Sequence, residues 1–363
     1  MQLMGELSRR GIPTAHATNS SSFTTVMRSL VQRKGDTRWD ARAVKGLFRL
    51  SHDWVKKKDR FEVVVCDEAH RFRRRTTLGN LKSDRPQAEE ILENARIVVA
   101  FIDEKQRLRG AEQGTVDYFR RCAARVGVPP ENVHGPIELT AQFRAAGNSD
   151  FVETLDKALY EEIPAGFAHR DFDVRVDESA EGLEAHLQDK IDDGYSARLL
   201  AGFCWEWSDP THNGTLVDDV RVGRHWSRAW NRKAVNGPYS PDRHPYTLWA
   251  NRVTDQLGGV GCIYSVQGFE FDYVGVIWGP DLVWRKDRWV ARPGKSFDTE
   301  MGRGRRPNSA ETALPLLKNA YRVLCSRAMR GCSVFCLDEE TAEYLRRALG
   351  EPLHFQKETL RIT

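Results

Sequence analysis

The sequence predicts an α/β protein of two units, each built on a mostly parallel sheet. Two short apolar runs, Phe61–Cys66 and Ile97–Asp103, are rich in valine and isoleucine and too brief for helices, which marks strands buried on both faces. Strand-like runs alternate with helical segments along both halves of the chain, the pattern that produces parallel pairing. The 363 residues exceed the roughly 250–300 at which a single core stops growing, so two units, 1–160 and 161–363, are expected.

Composition excludes several classes of function. The 55 basic and 51 acidic residues leave a net charge of +4, too slight to announce a nucleic-acid partner, so local clusters must carry that signal. Seven cysteines are scattered without paired Cys-x-x-Cys units, which argues against a disulfide framework or a zinc site. Cys325, Cys332 and Cys336 are expected as small buried hydrophobes. No apolar run approaches the ~20 residues of a membrane span and Met1 leads into no signal-peptide pattern, so a cytoplasmic protein without a membrane partner is expected.

Taken in order, Gln2–Arg10 is a short amphipathic helix ended by Gly11, and Ile12–Ala17 a strand. Thr18, Asn19 and Ser20–Ser22 offer caps to a helix over Phe23–Val31. In a doubly wound sheet, an opening helix that feeds a parallel strand follows a strand and a phosphate-binding loop. No Gly-x-x-x-x-Gly-Lys-[Ser/Thr] pattern occurs in the sequence. Its single Gly-Lys-Ser, Gly294–Ser296, has Trp289 where the first glycine belongs, and Pro293, Phe297 and Asp298 mark it as a surface loop. The expectation is a chain that begins inside the helix after the phosphate loop (Walker A), whose first sheet lacks a central strand and which binds ATP weakly and hydrolyses it poorly.

Phe61–Cys66 delivers Asp67 and Glu68 at its carboxyl end, the Walker B arrangement. In P-loop ATPases the first carboxylate holds the magnesium ion that bridges the β- and γ-phosphates, and the second polarises the attacking water. An acidic strand end is common in α/β proteins, and here the Asp-Glu-Ala-His tetrad and the later motifs favour chemistry. Arg71 and Arg73–Arg75 form a basic cluster at the mouth of this site, with Arg73 and Arg74 as candidate phosphate contacts and a solvated loop as the alternative. A helical segment near Glu89 precedes the strand Ile97–Asp103, after which come Glu104, Lys105 and Gln106.

Phe151–Leu159 reads as a helix and Tyr160–Arg170 as a linker. The second unit opens with the strand Phe172–Val176 and the helix Ala180–Asp192, then the alternating run Ala201–Trp207, which by its period is a half-buried strand. Asn213-Gly214 marks a turn. Trp226, Trp230 and Trp249 stand among arginines, a grouping that suits stacking on single-stranded bases, although packing under long loops is the commoner use of any one such tryptophan. Ser265–Asp272 leads into a strand over Tyr273–Trp278, Ala291–Ala310 is glycine- and charge-rich and expected to be mobile, and Asn319–Arg330 leads into a strand over Ser333–Leu337.

These segments carry a resemblance. The strand ending in Asp103 with Gln106 three residues on looks like helicase motif III of superfamily 1, and Leu139–Ala145 is similar to motif IV. Ser265-Val-Gln-Gly268-Phe-Glu270-Phe-Asp272 looks like motif V, and Asn319–Arg330 resembles motif VI. Their order, with the wording of Ala201–Trp207, Gly261–Asp272 and Lys318–Leu324, resembles the Schlafen-group-3-like DNA/RNA helicase domain, a bacterial group of P-loop NTPases. The resemblance covers about Gln2–Asp338 and implies two RecA-like domains, the first lacking its P-loop strand, with ATP and Mg2+ bound between them. It implies that Gln106 and Arg144 reach the γ-phosphate, that Gly268 and Glu270 approach ribose and phosphates, and that Arg327 is the arginine finger. Single-stranded DNA or RNA is the implied partner and stepwise translocation or unwinding the implied activity. The alternatives are a nucleic-acid-activated switch ATPase and a binding module without catalysis.

Overall fold

The computed structural model describes residues 2–31, 45–57, 60–78, 81–139, 149–164, 172–231, 256–303 and 308–350. Helix α1 (Gln2–Arg9) stops at Gly11, whose φ of 69° suits a residue without a Cβ, and strand β1 (Thr14–Thr18) follows. Ser20 Oγ accepts the Phe23 amide and so caps α2 (Ser21–Val31), as the serine run predicts. Then come β2 (Phe48–Leu50), a 3-10 turn over Ser51–Trp54, β3 (Phe61–Cys66), the β4–β5 hairpin (Thr76–Leu78, Leu81–Ser83), α3 (Gln87–Leu92) and β6 (Ala95–Ala100). Helices α4 (Val116–Arg125) and α5 (Ser149–Asp156) complete this half.

Four of these strands form one parallel sheet in the order β2-β1-β3-β6. Val63, Val64 and Val65 are buried, as their composition demands. The second run, expected to be equally buried, is instead the edge strand β6: Ile97 is 53% and Phe101 38% exposed. Among the described residues the four strands are contiguous, with β2 and β6 at the edges.

The second half holds β7 (Asp173–Asp177), α6 (Ala180–Asp192), β8 (Ala197–Ala201), the β9–β10 hairpin (Val220–Val222, Trp226–Arg228), β11 (Val260–Gly261), α7 (Ile263–Val266) and β12 (Phe271–Trp278). The β13–β14 hairpin (Leu282–Arg285, Arg288–Ala291), α8 (Ala310–Cys325), β15 (Ala328–Cys336) and α9 (Glu339–Leu349) follow. Its sheet is parallel in the order β11-β8-β12-β15-β7. At Gly275 on β12 an added Cβ would come within 2.6 Å of Leu183 and 2.7 Å of Leu187, so glycine is what lets α6 lie close on the sheet. Over the other face, Trp278 stacks on Tyr321 with ring centroids 3.9 Å apart.

Three expectations change. The strand placed at Ala201–Trp207 ends at Ala201: residues 197–201 are fully buried without alternation, and the aromatics beyond are irregular chain, where Phe203 and Trp205 pack on Trp230. Ala291–Arg303, expected to be mobile, carries a 3-10 turn at Pro293–Lys295 and a π-helical turn at Thr299–Arg303, with Ser296 and Asp298 buried. Helix α5 buries Phe151, Val152 and Leu155 in the core of the second sheet, although it ends the first half of the sequence. Its apolar stripe was legible, and the surface it would cover was not. All seven cysteines are free and buried. Among the described residues no helix is long and apolar enough to cross a membrane.

Candidate nucleotide site

Both carboxylates lie where β3 ends. Asp67 keeps 41% of its side chain exposed, with His16 Nε2 3.7 Å from its Oδ2. Glu68 turns the opposite way because its backbone is left-handed (φ 51°, ψ 39°), which for a glutamate costs about 1 kcal/mol or more. The turn is held by the Ala69 amide, which donates to Phe101 O at 3.0 Å, and by Gly114, where a Cβ would lie 1.9 Å from Ala69 O. The result is a buried Glu68 carboxylate beside an accessible Asp67.

His70 shares that buried space, and the charge of Arg327 is felt there. His70 Nε2 lies 3.1 Å from Glu68 Oε2, close but not aligned as a hydrogen bond, while its Nδ1 accepts the Asp103 amide at 3.4 Å, which assigns the ring proton to Nε2, the nitrogen beside the carboxylate. Burial alone would raise the Glu68 carboxyl, but His70, then Arg327 and Arg71, outweigh it and hold it at about 2. Arg327 follows α8, is fully buried, and donates from Nε to Val323 O at 3.1 Å. It therefore acts on Glu68 from the second half of the chain.

The segment after β6 is tied across the same boundary. Gln106 is buried and donates to Asp103 Oδ2 at 2.8 Å, leaving its Oε1 without a partner among the described residues. Arg322 on α8 reaches Asp103 Oδ2 at 3.4 Å and Asp156 Oδ1 at 2.6 Å, joining the loop after β6 to α5. Burial would raise Asp103, yet Arg322 and Gln106 bring it below the usual carboxylate range. Asn319 also donates to Arg107 O at 2.8 Å.

The remaining motif residues are placed less centrally. Gly268 has φ 88°, and its Cβ position is 2.9 Å from the Phe23 ring, so the close approach it permits here is to α2. Glu270 is exposed in the turn before β12. Arg144 and Trp249 lie outside the described residues. Gly294–Ser296 forms no phosphate loop, since Ser296 is buried with its Oγ donating to Phe203 O at 3.3 Å. Three residues escaped the sequence reading: His70, Arg322 and Gln267. Gln267 is fully buried with neither amide atom partnered among the described residues, and its place one residue ahead of Gly268 was the available signal.

A cavity of about 650 Å3 opens beside this site, between Arg71, Arg73 and Arg109 on one side and Phe203, Trp207 and Tyr264 on the other. Neither Asp67 nor Glu68 lines it. Arg71 is buried, its Nε 3.4 Å from Glu112 Oε1 and its Nη1 without a hydrogen-bond partner among the described residues. Arg109 lies over the Tyr264 ring at 4.1 Å and donates to Tyr264 Oη at 2.9 Å, while that hydroxyl donates to the buried Asp298. Arg73 approaches Glu300 at 3.7 Å, and Arg74 is exposed. Trp226 and Trp230 need correction as base-stacking candidates: both are buried in the second core, Trp226 Nε1 donating to Glu184 Oε2 at 2.7 Å. Partly exposed Trp207 is the tryptophan in the cavity.

The chain is matched over residues 1–338 by the family described as Schlafen group 3, DNA/RNA helicase domain. It belongs to that family. It is also similar to the uncharacterised protein YPL245W of Saccharomyces cerevisiae, 23% identical over 326 residues that span 82% of this chain and 67% of that protein. The similarity therefore extends to a eukaryotic protein.

Proposed function

We propose that this member of the Schlafen group 3 helicase-domain family is an ATP-dependent motor that moves along or unwinds DNA or RNA. Residues 1–160 and 161–363 are read as two RecA-like halves, with α5 packed on the second. The observation that carries the reading is that α8 of the second half is bonded to the loop that follows β6 of the first, Arg322 reaching Asp103 Oδ2 at 3.4 Å and Asn319 donating to Arg107 O at 2.8 Å, with Arg327 just beyond α8 contributing to the field that keeps Glu68 ionised. A hydrolytic site completed by both halves couples chemistry to their relative movement.

The residues present suit the γ-phosphate end of a nucleotide. Magnesium usually takes only one or two protein carboxylates beside phosphates and water, and accessible Asp67 is suited to be one. Such an ion would neutralise charge on the transferred phosphoryl group. Glu68, ionised and held by His70, orients the attacking water, and Arg327 places a permanent charge beside it. Gln106, whose amide oxygen has no partner among the described residues, and Arg144, by its motif, are assigned to the same phosphate, and Gly268 and Glu270 to the ribose side. Arg71, Arg73 and Arg109 are assigned to the strand's phosphates and Trp207 to a base, with Arg74 adding attraction at a distance.

The test is ATP turnover by the full chain with magnesium, with and without single-stranded DNA or RNA. Turnover by these 363 residues is expected to be slow, because no Gly-x-x-x-x-Gly-Lys-[Ser/Thr] loop cradles the phosphates, to be stimulated by nucleic acid, and to be abolished in Glu68→Gln while nucleotide binding persists. ATP-driven displacement of a tailed duplex is expected to vanish in Arg327→Ala. Turnover without displacement on either nucleic acid identifies a switch ATPase, and full turnover in Glu68→Gln overturns the assignment of Glu68.

A further inference from the structure

A second cavity, of about 490 Å3, lies on the β2 side of the first sheet, away from the carboxylates. Its lining includes Lys45, Lys56, Lys57 and Lys82, which come from three separate stretches of sequence. Runs of lysine are usually solvated faces, but here the fold gathers lysines from distant positions around a concavity, against their mutual repulsion. Among the described residues none of these four ammonium groups has a carboxylate partner. The carboxylate in the lining, Asp53, is already engaged: its Oδ2 accepts the Leu50 amide at 3.0 Å and lies 3.7 Å from Arg28, and His52 is 3.8 Å from its Oδ1. The concavity thus presents uncompensated positive charge, which an anionic ligand would offset.

Its position indicates which anion. The 3-10 turn Ser51–Trp54 lines the lysine cavity and is bonded to a residue that lines the cleft. Ser51 donates to Asn19 Oδ1, and Asn19, which lines the arginine-and-aromatic cleft, donates to Arg71 O at 2.6 Å. His52 and Asp53, the next two residues, line the lysine cavity. One short turn therefore separates the two. We propose that the lysine cavity holds the phosphodiester backbone of the nucleic acid where it runs on beyond the cleft. This rests on reading the cleft as the strand-binding site.

The experiment compares labelled oligonucleotides of two lengths, in DNA and in RNA, binding to the full chain by fluorescence anisotropy. The short one, of about 8 nucleotides, is within what a single groove holds, and the long one is about four times that length. In Lys45→Glu/Lys57→Glu/Lys82→Glu the long oligonucleotide is expected to bind at least about tenfold more weakly, and its log-affinity slope against log salt to fall by about 2, at ~0.7 per lost phosphate contact. The short one is expected to bind as it does to the wild type, and the triple Lys→Gln protein to lie between. Because all four lysines are exposed and repel one another, thermal midpoints should be unchanged or slightly raised in the variants. Wild-type and triple-variant proteins that bind the long oligonucleotide equally, or an equal loss at both lengths, overturns the proposal while leaving the cleft reading intact. Failure of the wild type to bind either length removes both.

Discussion

Glu68, just past β3, and Asp338, just past β15, both stand at the ends of parallel strands, and both are held at about 2. The means differ. Glu68 is sealed in, and only His70, Arg327 and Arg71 offset a burial that would otherwise neutralise it. Asp338 sits near the surface, where Arg285 is the main cause, followed by its bonds to Thr341, whose amide it caps at 3.0 Å and whose hydroxyl donates at 2.7 Å. The Asp338 arrangement is local and tolerant, because water replaces whatever is removed. The Glu68 arrangement draws on both halves of the chain, and loss of one member leaves an unscreened charge.

The widest gap between the two should appear in His70→Ala. It removes the Glu68 partner without admitting bulk water, and is expected to cost about 3 kcal/mol in urea unfolding. Most of that loss should return in His70→Ala/Glu68→Gln, because a neutral amide no longer needs the imidazole. An additive double variant would mean that His70 acts by packing alone.

Acid titration separates the pair next. Because the folded value of Glu68, about 2, lies below its ordinary 4.5, its contribution is fully present above pH 4.5 and disappears as pH falls toward 2. That contribution is on the order of 3 kcal/mol. Unfolding measured against pH should therefore fall less steeply over this window in Glu68→Gln than in the wild type, and parallel curves would show that the unfolded chain holds Glu68 equally low. The smallest effect belongs to Arg285→Ala: with Arg285 30% and Asp338 18% exposed, a loss of about 0.5–1 kcal/mol is expected, shrinking in high salt. A larger, salt-independent loss would make the two strand ends alike after all.

Much of this was readable along the chain. Ala180–Asp192 forms the helix that its pattern predicts, β3 and β12 fall where apolar runs end in polar residues, and Asp67 stands at a strand end because three valines before it can only be buried strand. Local period and composition fix such features, since they depend on neighbours a few residues apart. β6 was read as a strand and wrongly as a buried one, because edge or interior is decided by what pairs beside it.

What only the tertiary structure decided depends on residues far apart in sequence. Trp226 and Trp230 carry the composition of a base-stacking surface, yet the second sheet buries them. Arg322 had no local mark separating it from a surface arginine until α8 set it between Asp103 and Asp156, 219 and 166 residues away. His70 reads as one more residue of a strand-end tetrad, and its role appears only once the Asp103 amide takes Nδ1 and turns Nε2 toward Glu68. Sequence determined which residues bear charge and which segments form strands. The fold decided which charges lose their water, and electrostatic energy is set by that loss far more than by the identity of the groups.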